Sequence, residues 1–237
     1  MVDIPELSKK VLSRLVKMNN EKTGGNFREQ LIFPIKIQDS GNKKVIRISE
    51  QEMRFLFVEE FKMKYPYLFY SIETPTTGKF SFGKTYEDIK LEDEGQSASH
   101  DMCVYEKTNS EYKRILNIEF KHRNSGIAKS GKDILKLIRE EQNGVFIHLL
   151  ENTDDNTLVS VFIKLLDCFE KFKQLWLNES KSIQVVILSL KQKKLIHCKL
   201  QKKDLLQLNQ FFVLEQKLGN IDNFKNSFWT LVDLNKN

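Results

Sequence analysis

Apolar residues recur at helical spacing near the start of the chain. Leu7, Val11, Leu15 and Met18 predict a helix over 6–18. A polar stretch with Gly24-Gly25 predicts a connector over 19–26. Residues 31–38 and 43–48 flank Ser40-Gly41-Asn42 in the manner of a hairpin. The next helix is better marked. Ser49 and Glu52 have capping-box spacing, and Met53, Leu56, Phe57 and Phe61 form its apolar stripe. Pro66 stops it. Residues 67–73 pattern as a strand. Residues 74–99 are polar, carry three glycines and predict a long irregular loop.

Two further strand patterns, 100–106 and 113–121, lie either side of Thr108-Asn109-Ser110-Glu111. A basic loop over 122–132 then leads to a helix over 133–142, with Asp133 placed as its N-cap. A short apolar strand follows over 144–150. From Leu158 to Trp176 an apolar stripe traces a long amphipathic helix, read as core, with a homodimer interface as the alternative. Residues 183–190 and 195–200 flank Lys191-Gln192-Lys193-Lys194 as a second hairpin, and 205–218 is the last helix. Strand and helix patterns alternate, so the fold class is α/β.

The chain has 237 residues, enough for one large domain or a core with elaborations. Lys and Arg number 38 against 32 Asp and Glu, an excess of +6 that is compatible with a polyanionic partner. No apolar run approaches the roughly 18 residues of a membrane span, and the first twenty residues have no signal-peptide core. The expectation is a cytoplasmic protein with no membrane partner. Cys103, Cys168 and Cys198 make no CxxC pair, which predicts reduced thiols and no structural zinc.

The chemistry is concentrated in the hairpin around Ser110. Leu116, Ile118 and Phe120 share one face of the second strand, and Asn117, Glu119 and Lys121 share the other. Matching apolar faces puts Met102 opposite Ile118 and Val104 opposite Leu116. A slip of one residue would bury the polar face. The same register sets Asp101 across from Glu119, at roughly 5 Å between Cβ atoms. Like charges so placed need compensation, and a divalent cation with oxygen preference supplies it. Lys121 lies two residues on, about 7 Å along the strand, where it can hold an attacking water or stabilise a charged transition state. This trio suits metal-assisted phosphodiester hydrolysis.

The arrangement resembles the PD-(D/E)XK, or restriction-endonuclease-like, nuclease superfamily. Asp101 stands at the motif-Asp position and Ile118-Glu119-Phe120-Lys121 supplies the (D/E)XK half-motif. His100 stands where the motif proline would be, and the resemblance covers about residues 49–150. It implies a restriction-endonuclease-like core, a central mixed β-sheet flanked by helices, over 49–200. An N-terminal helix-and-hairpin elaboration would cover 1–48 and a C-terminal helical extension 201–237. It further implies a Mg²⁺-dependent DNA endonuclease, with Mn²⁺ as substitute, Asp101 and Glu119 as ligands and Lys121 as base or electrostatic partner. Restriction or defence is the role it suggests. The non-catalytic alternative is a nucleic-acid-binding or scaffold module that keeps the fold. An additional acidic residue is expected on the preceding helix. Glu50 is favoured over Glu52, which suits the capping box, and over Glu73 at a strand end.

Other signals rank lower. Residues 126–132 fit GxxxxGK, but Asp133 follows where that motif needs Ser or Thr, so no nucleotide cofactor is expected. Arg123, Lys129 and Lys132 read better as contacts to a DNA backbone. His100 and His122 alternate away from their catalytic neighbours and read as packing or weak substrate contacts. Lys136 and Gln142 are the two candidates on the following helix to lend the site a polar group, and helical phase does not choose between them.

Overall fold

The computed structural model describes residues 2–20, 30–37, 44–214 and 220–236. The predicted connector around Gly24-Gly25, the Ser40-Gly41-Asn42 turn and the end of the predicted 205–218 helix lie outside them. Among the described residues, helix α1 (Ile4–Asn20) precedes the paired antiparallel strands β1 (Ile35–Ile37) and β2 (Lys44–Ile46). Then come α2 (Glu50–Lys64), β3 (Phe69–Phe82), β4 (Ile89–Leu91), β5 (Gln96–Thr108) and β6 (Glu111–His122). The second half runs α3 (Ile127–Arg139), β7 (Asn143–Leu150), α4 (Asp155–Phe172), β8 (Ser182–Ser189), β9 (Lys194–Gln201), α5 (Leu208–Phe212) and β10 (Thr230–Asp233).

Eight strands among the described residues form one mixed sheet in the order β10-β9-β8-β7-β6-β5-β3-β4. Its centre, β6-β7-β8, is parallel, and the flanking pairs are antiparallel. Parallel neighbours need crossovers, which α3 and α4 supply. Helices cover both faces. On one, α1 and α2 pack over Met102, Val104, Ile118, Phe120, Ile147 and Val186. On the other, α3, α4 and α5 pack over Phe146, Val185, Ile187 and Cys198. Each Leu, Ile or Phe so enclosed contributes roughly 1.5–3 kcal/mol. The Leu158–Trp176 stripe is buried in this second layer, so the core reading of it is the observed one. All three cysteines are free thiols in the interior. No described helix is long and apolar enough to cross a membrane.

The capping box forms as its spacing predicts. Ser49 Oγ accepts from the first turn of α2, and Glu52 accepts from the Ser49 N–H at 2.9 Å. Phe57 then meets Phe120 edge-on, with ring centroids 5.3 Å apart, which seats α2 directly over the chemical end of β6.

Three expectations are corrected. The stretch 74–99 is not a loop: β3 runs on to Phe82, and β4 and the start of β5 lie within it. Its polar alternation belongs to strands near a sheet edge. Their register shift between Pro75 and Lys79 is held by the buried Glu140 carboxylate, which accepts from Thr77 N–H (2.8 Å) and Gly78 N–H (3.0 Å). Residues 127–132 are helix, not loop, so Asp133 is an interior residue of α3 and Gly126 is the N-cap. The GxxxxGK segment therefore makes no phosphate cradle. Gly131 is instead a packing glycine, because a Cβ there would stand 2.7 Å from the Tyr86 ring. Finally, residues 202–214 form a 3₁₀ turn (Lys202–Leu206) and the five-residue α5 rather than one continuous helix, and β10 pairs with β9 unforeseen.

Candidate active site

The hairpin register is the predicted one: Met102 faces Ile118 and Val104 faces Leu116. The ladder between β5 and β6 then stops. β6 stays paired with β7 as far as His122, while β5 continues beside β3 through His100 and Ser99. Thus β5 and β6 part at Asp101, and Asp101 and Glu119 are not ladder partners as expected. The Phe120 N–H, left without a strand partner on that side, donates to Asp101 Oδ2 at 2.7 Å. Asp101 turns toward α2, where Arg54 pairs with its other oxygen. Glu119 turns toward α3.

Glu119 is only 1% exposed. Its Oε2 accepts from Lys136 Nζ at 2.8 Å, and its Oε1 lies 2.5 Å from His100 Nδ1. The expected alternation of His100 away from the site is therefore wrong. Once β5 leaves the ladder, its side chains no longer follow the face of the paired segment. Burial and the nearby Lys136 and Arg114 hold His100 well below its ordinary pKa. One hydrogen bond joins Nδ1 and Glu119, and the tautomer sets which group donates.

Lys136 is thus the α3 residue that reaches the site. Gln142 lies beyond the helix and meets Asn117. Lys136 also pairs with Asp133 at 3.1 Å and donates to Ser99 O at 2.9 Å. Lys121 pairs with the same Asp133 at 2.6 Å. Burial opposes its charge, but Asp133, Glu50 and Asp101 together outweigh that and raise its pKa. The sequence marks Asp133 as an N-cap rather than a site residue, because its spacing mimics one. Placed inside α3 between two lysines, its carboxyl is held below the usual range despite its burial.

Glu50, at the first turn of α2, joins the same cluster. Burial raises its carboxyl, Lys121 opposes this, and Asp101 and Asp133 add to it. Burial likewise raises Asp101, against the Phe120 N–H and Arg54, and raises Glu119 well above the ordinary value, against Lys136. Of the other acidic candidates, Glu52 is spent in the capping box, while Glu73 reaches the cluster's rim through Arg54 at 2.7 Å. Arg54 had no motif to mark it. The gap between β5 and β6 is what lets groups from α2 and from α3 meet.

The donor chemistry of Glu50, Asp101 and Glu119 fits Mg²⁺, since all offer carboxylate oxygens. Among the described residues, no three metal-ligating side chains already form a group able to hold an ion. Arg54 and Lys136 are the partners that these carboxylates have instead.

The expected backbone contacts are dispersed. Arg123 is exposed, at a positive φ of 63°, and pairs with Glu151 at 3.0 Å. Lys129 is exposed on α3, and Lys132 lies 5.1 Å from the centroid of the Phe82 ring. No protein-family model, curated protein or solved structure matches the chain.

Proposed function

We propose that this chain is a Mg²⁺-dependent nuclease, an endonuclease acting on DNA, with a restriction-endonuclease-like core. One observation carries the reading: Glu50, Asp101, Glu119 and Lys121 share one electrostatic cluster at the point where β5 and β6 part. Carboxylates from three elements and a charged lysine in one cluster are what phosphodiester hydrolysis requires. Glu50, Asp101 and Glu119 would hold the cation, which supplies charge to polarise the phosphate and to lower the pKa of a bound water. Lys121, kept protonated by Asp133, orients the attacking water and offsets charge on the phosphate oxygens. Lys136 and His100 fix the two oxygens of Glu119. Arg123 and Lys129 contact the DNA backbone. A restriction or defence role fits this activity.

The test is incubation of supercoiled plasmid, linear duplex and single-stranded DNA with Mg²⁺, with Mn²⁺ and with EDTA. Nicking that EDTA abolishes is expected. The second reading, a non-catalytic nucleic-acid-binding module, is favoured by the ion pairs already formed within the cluster. It predicts salt-sensitive DNA binding and no metal-dependent cleavage.

A further inference from the structure

We propose that Arg54 is the resident counter-cation of the carboxylate cluster, holding the position a divalent cation takes, so that cation entry requires the guanidinium to withdraw. The proposal rests on the metal-dependent reading above and gives that site a control.

Arg54 gathers carboxylates from three elements: Glu50 of α2 at 3.7 Å, Glu73 of β3 at 2.7 Å, and Asp101 of β5. The backbone at one of these partners is distorted. Glu73 has φ 50° within a strand, a left-handed conformation rare outside glycine, and the β3–β5 register passes from Ile72–Met102 to Thr74–His100 without pairing it. Such strain persists only where surrounding contacts impose it.

Charge defines what the cluster lacks. Glu50, Glu73, Asp101, Glu119 and Asp133 face Arg54, Lys121 and Lys136, so with every group ionised two negative charges are in excess. With the guanidinium withdrawn the excess rises to three, and a divalent cation in its place offsets two of these charges. The three resident cations differ in how firmly they are held. Lys136 is buried and has three partners, Ser99 O, Glu119 and Asp133. Lys121 pairs with Asp133, which is not among the proposed ligands. Arg54 alone among them sits on both Asp101 and Glu50. Its Nε is buried with no hydrogen-bond partner, so its site does not satisfy it fully. Its outer anchor, the Glu73 side chain, is 59% exposed and marks the route to solvent. Two cations cannot share Asp101 and Glu50 without strong repulsion, so ion and guanidinium compete.

The experiment is calorimetric titration of the full chain with MgCl₂ alone, for the parent and for Arg54→Met, Arg54→Gln and Arg54→Lys. Both neutral variants are expected to bind Mg²⁺ at least tenfold more tightly than the parent, with Arg54→Lys close to it. Mg²⁺ should also raise the melting temperature of the neutral variants more than that of the parent. A purely structural Arg54 would lower the melting temperature by the same amount with and without Mg²⁺ and leave the affinity unchanged, which overturns the proposal. Equal tightening in Arg54→Lys overturns it too, because charge would not be the cause. Plasmid nicking run alongside separates the two readings. Tightened Mg²⁺ binding with no nicking by any protein keeps the counter-cation and removes the nuclease. Nicking by the parent with unaltered Mg²⁺ affinity in the neutral variants does the reverse.

Discussion

Asp101 accepts the backbone N–H of Phe120 at 2.7 Å, where a strand carbonyl would otherwise stand. The carboxylate thus closes the ladder that β5 abandons, and it faces the cluster at the same time. Structure and chemistry separate by substitution. Asp101→Asn keeps an acceptor for Phe120 and removes the charge, so it should lose less stability than Asp101→Ala while Mg²⁺ affinity and turnover each fall about 100-fold or more. Asp101→Ala loses both functions and leaves Arg54 less paired, at a cost of about 2–4 kcal/mol. Urea unfolding and plasmid nicking measure the two effects. An Asp101→Asn protein that cuts at the parental rate places the chemistry elsewhere.

Lys121→Met should leave metal binding intact, because Asp133 retains Lys136 at 3.1 Å. Turnover should fall by about 10² or more, because no charge then stands beside the attacking water. Single-turnover nicking beside Mg²⁺ titration reads this split. A joint loss of both would make Lys121 a structural element of the metal site.

Alanine at Arg123, Lys129 and Lys132 together should flatten the salt dependence of DNA affinity, by roughly one unit of log–log slope for each phosphate no longer neutralised. Lys132 should contribute least of the three, since its ammonium lies over the Phe82 ring. Fluorescence anisotropy across a salt series tests it, and an unchanged slope moves the DNA path to another surface.

His148 gives the fold an acid sensitivity. Burial pushes its pKa down to about 4, although its Nε2 meets Arg123 O at 2.5 Å. The folded value lies below the unfolded one of about 6.5, so the unfolded chain takes up the proton first. The contribution is whole above pH 6.5 and is lost as pH falls toward 4. At pH 5 the loss is about 2 kcal/mol from this residue. His100, His122 and His197 shift in the same direction, so the difference between parent and His148→Gln isolates the share of His148. The denaturant midpoint should fall further between pH 7 and pH 5 in the parent than in the variant.

The amino-acid sequence by itself determined the hairpin register, because pairing Met102 with Ile118 and Val104 with Leu116 about the short turn keeps one face apolar, and a slip of one residue would bury the polar face. It determined the capping box at Ser49 and the buried stripe of α4 for similar reasons, since local periodicity and capping act over a few residues. It placed Asp101, Glu119 and Lys121 on neighbouring segments and pointed to Glu50. Tertiary structure decided the rest. Where β5 and β6 part depends on β3 and β7 drawing them in different directions, and no local pattern encodes that competition. The parting turned His100 to Glu119 and Asp101 to Arg54, against simple alternation. Lys136 and Asp133 entered the site only because α3 starts at Ile127 and crosses beneath β6, which sets the helical phase that their spacing alone left undefined. Long-range burial of charge chose these partners, because a carboxylate enclosed by packed layers is stable only where a cation can reach it.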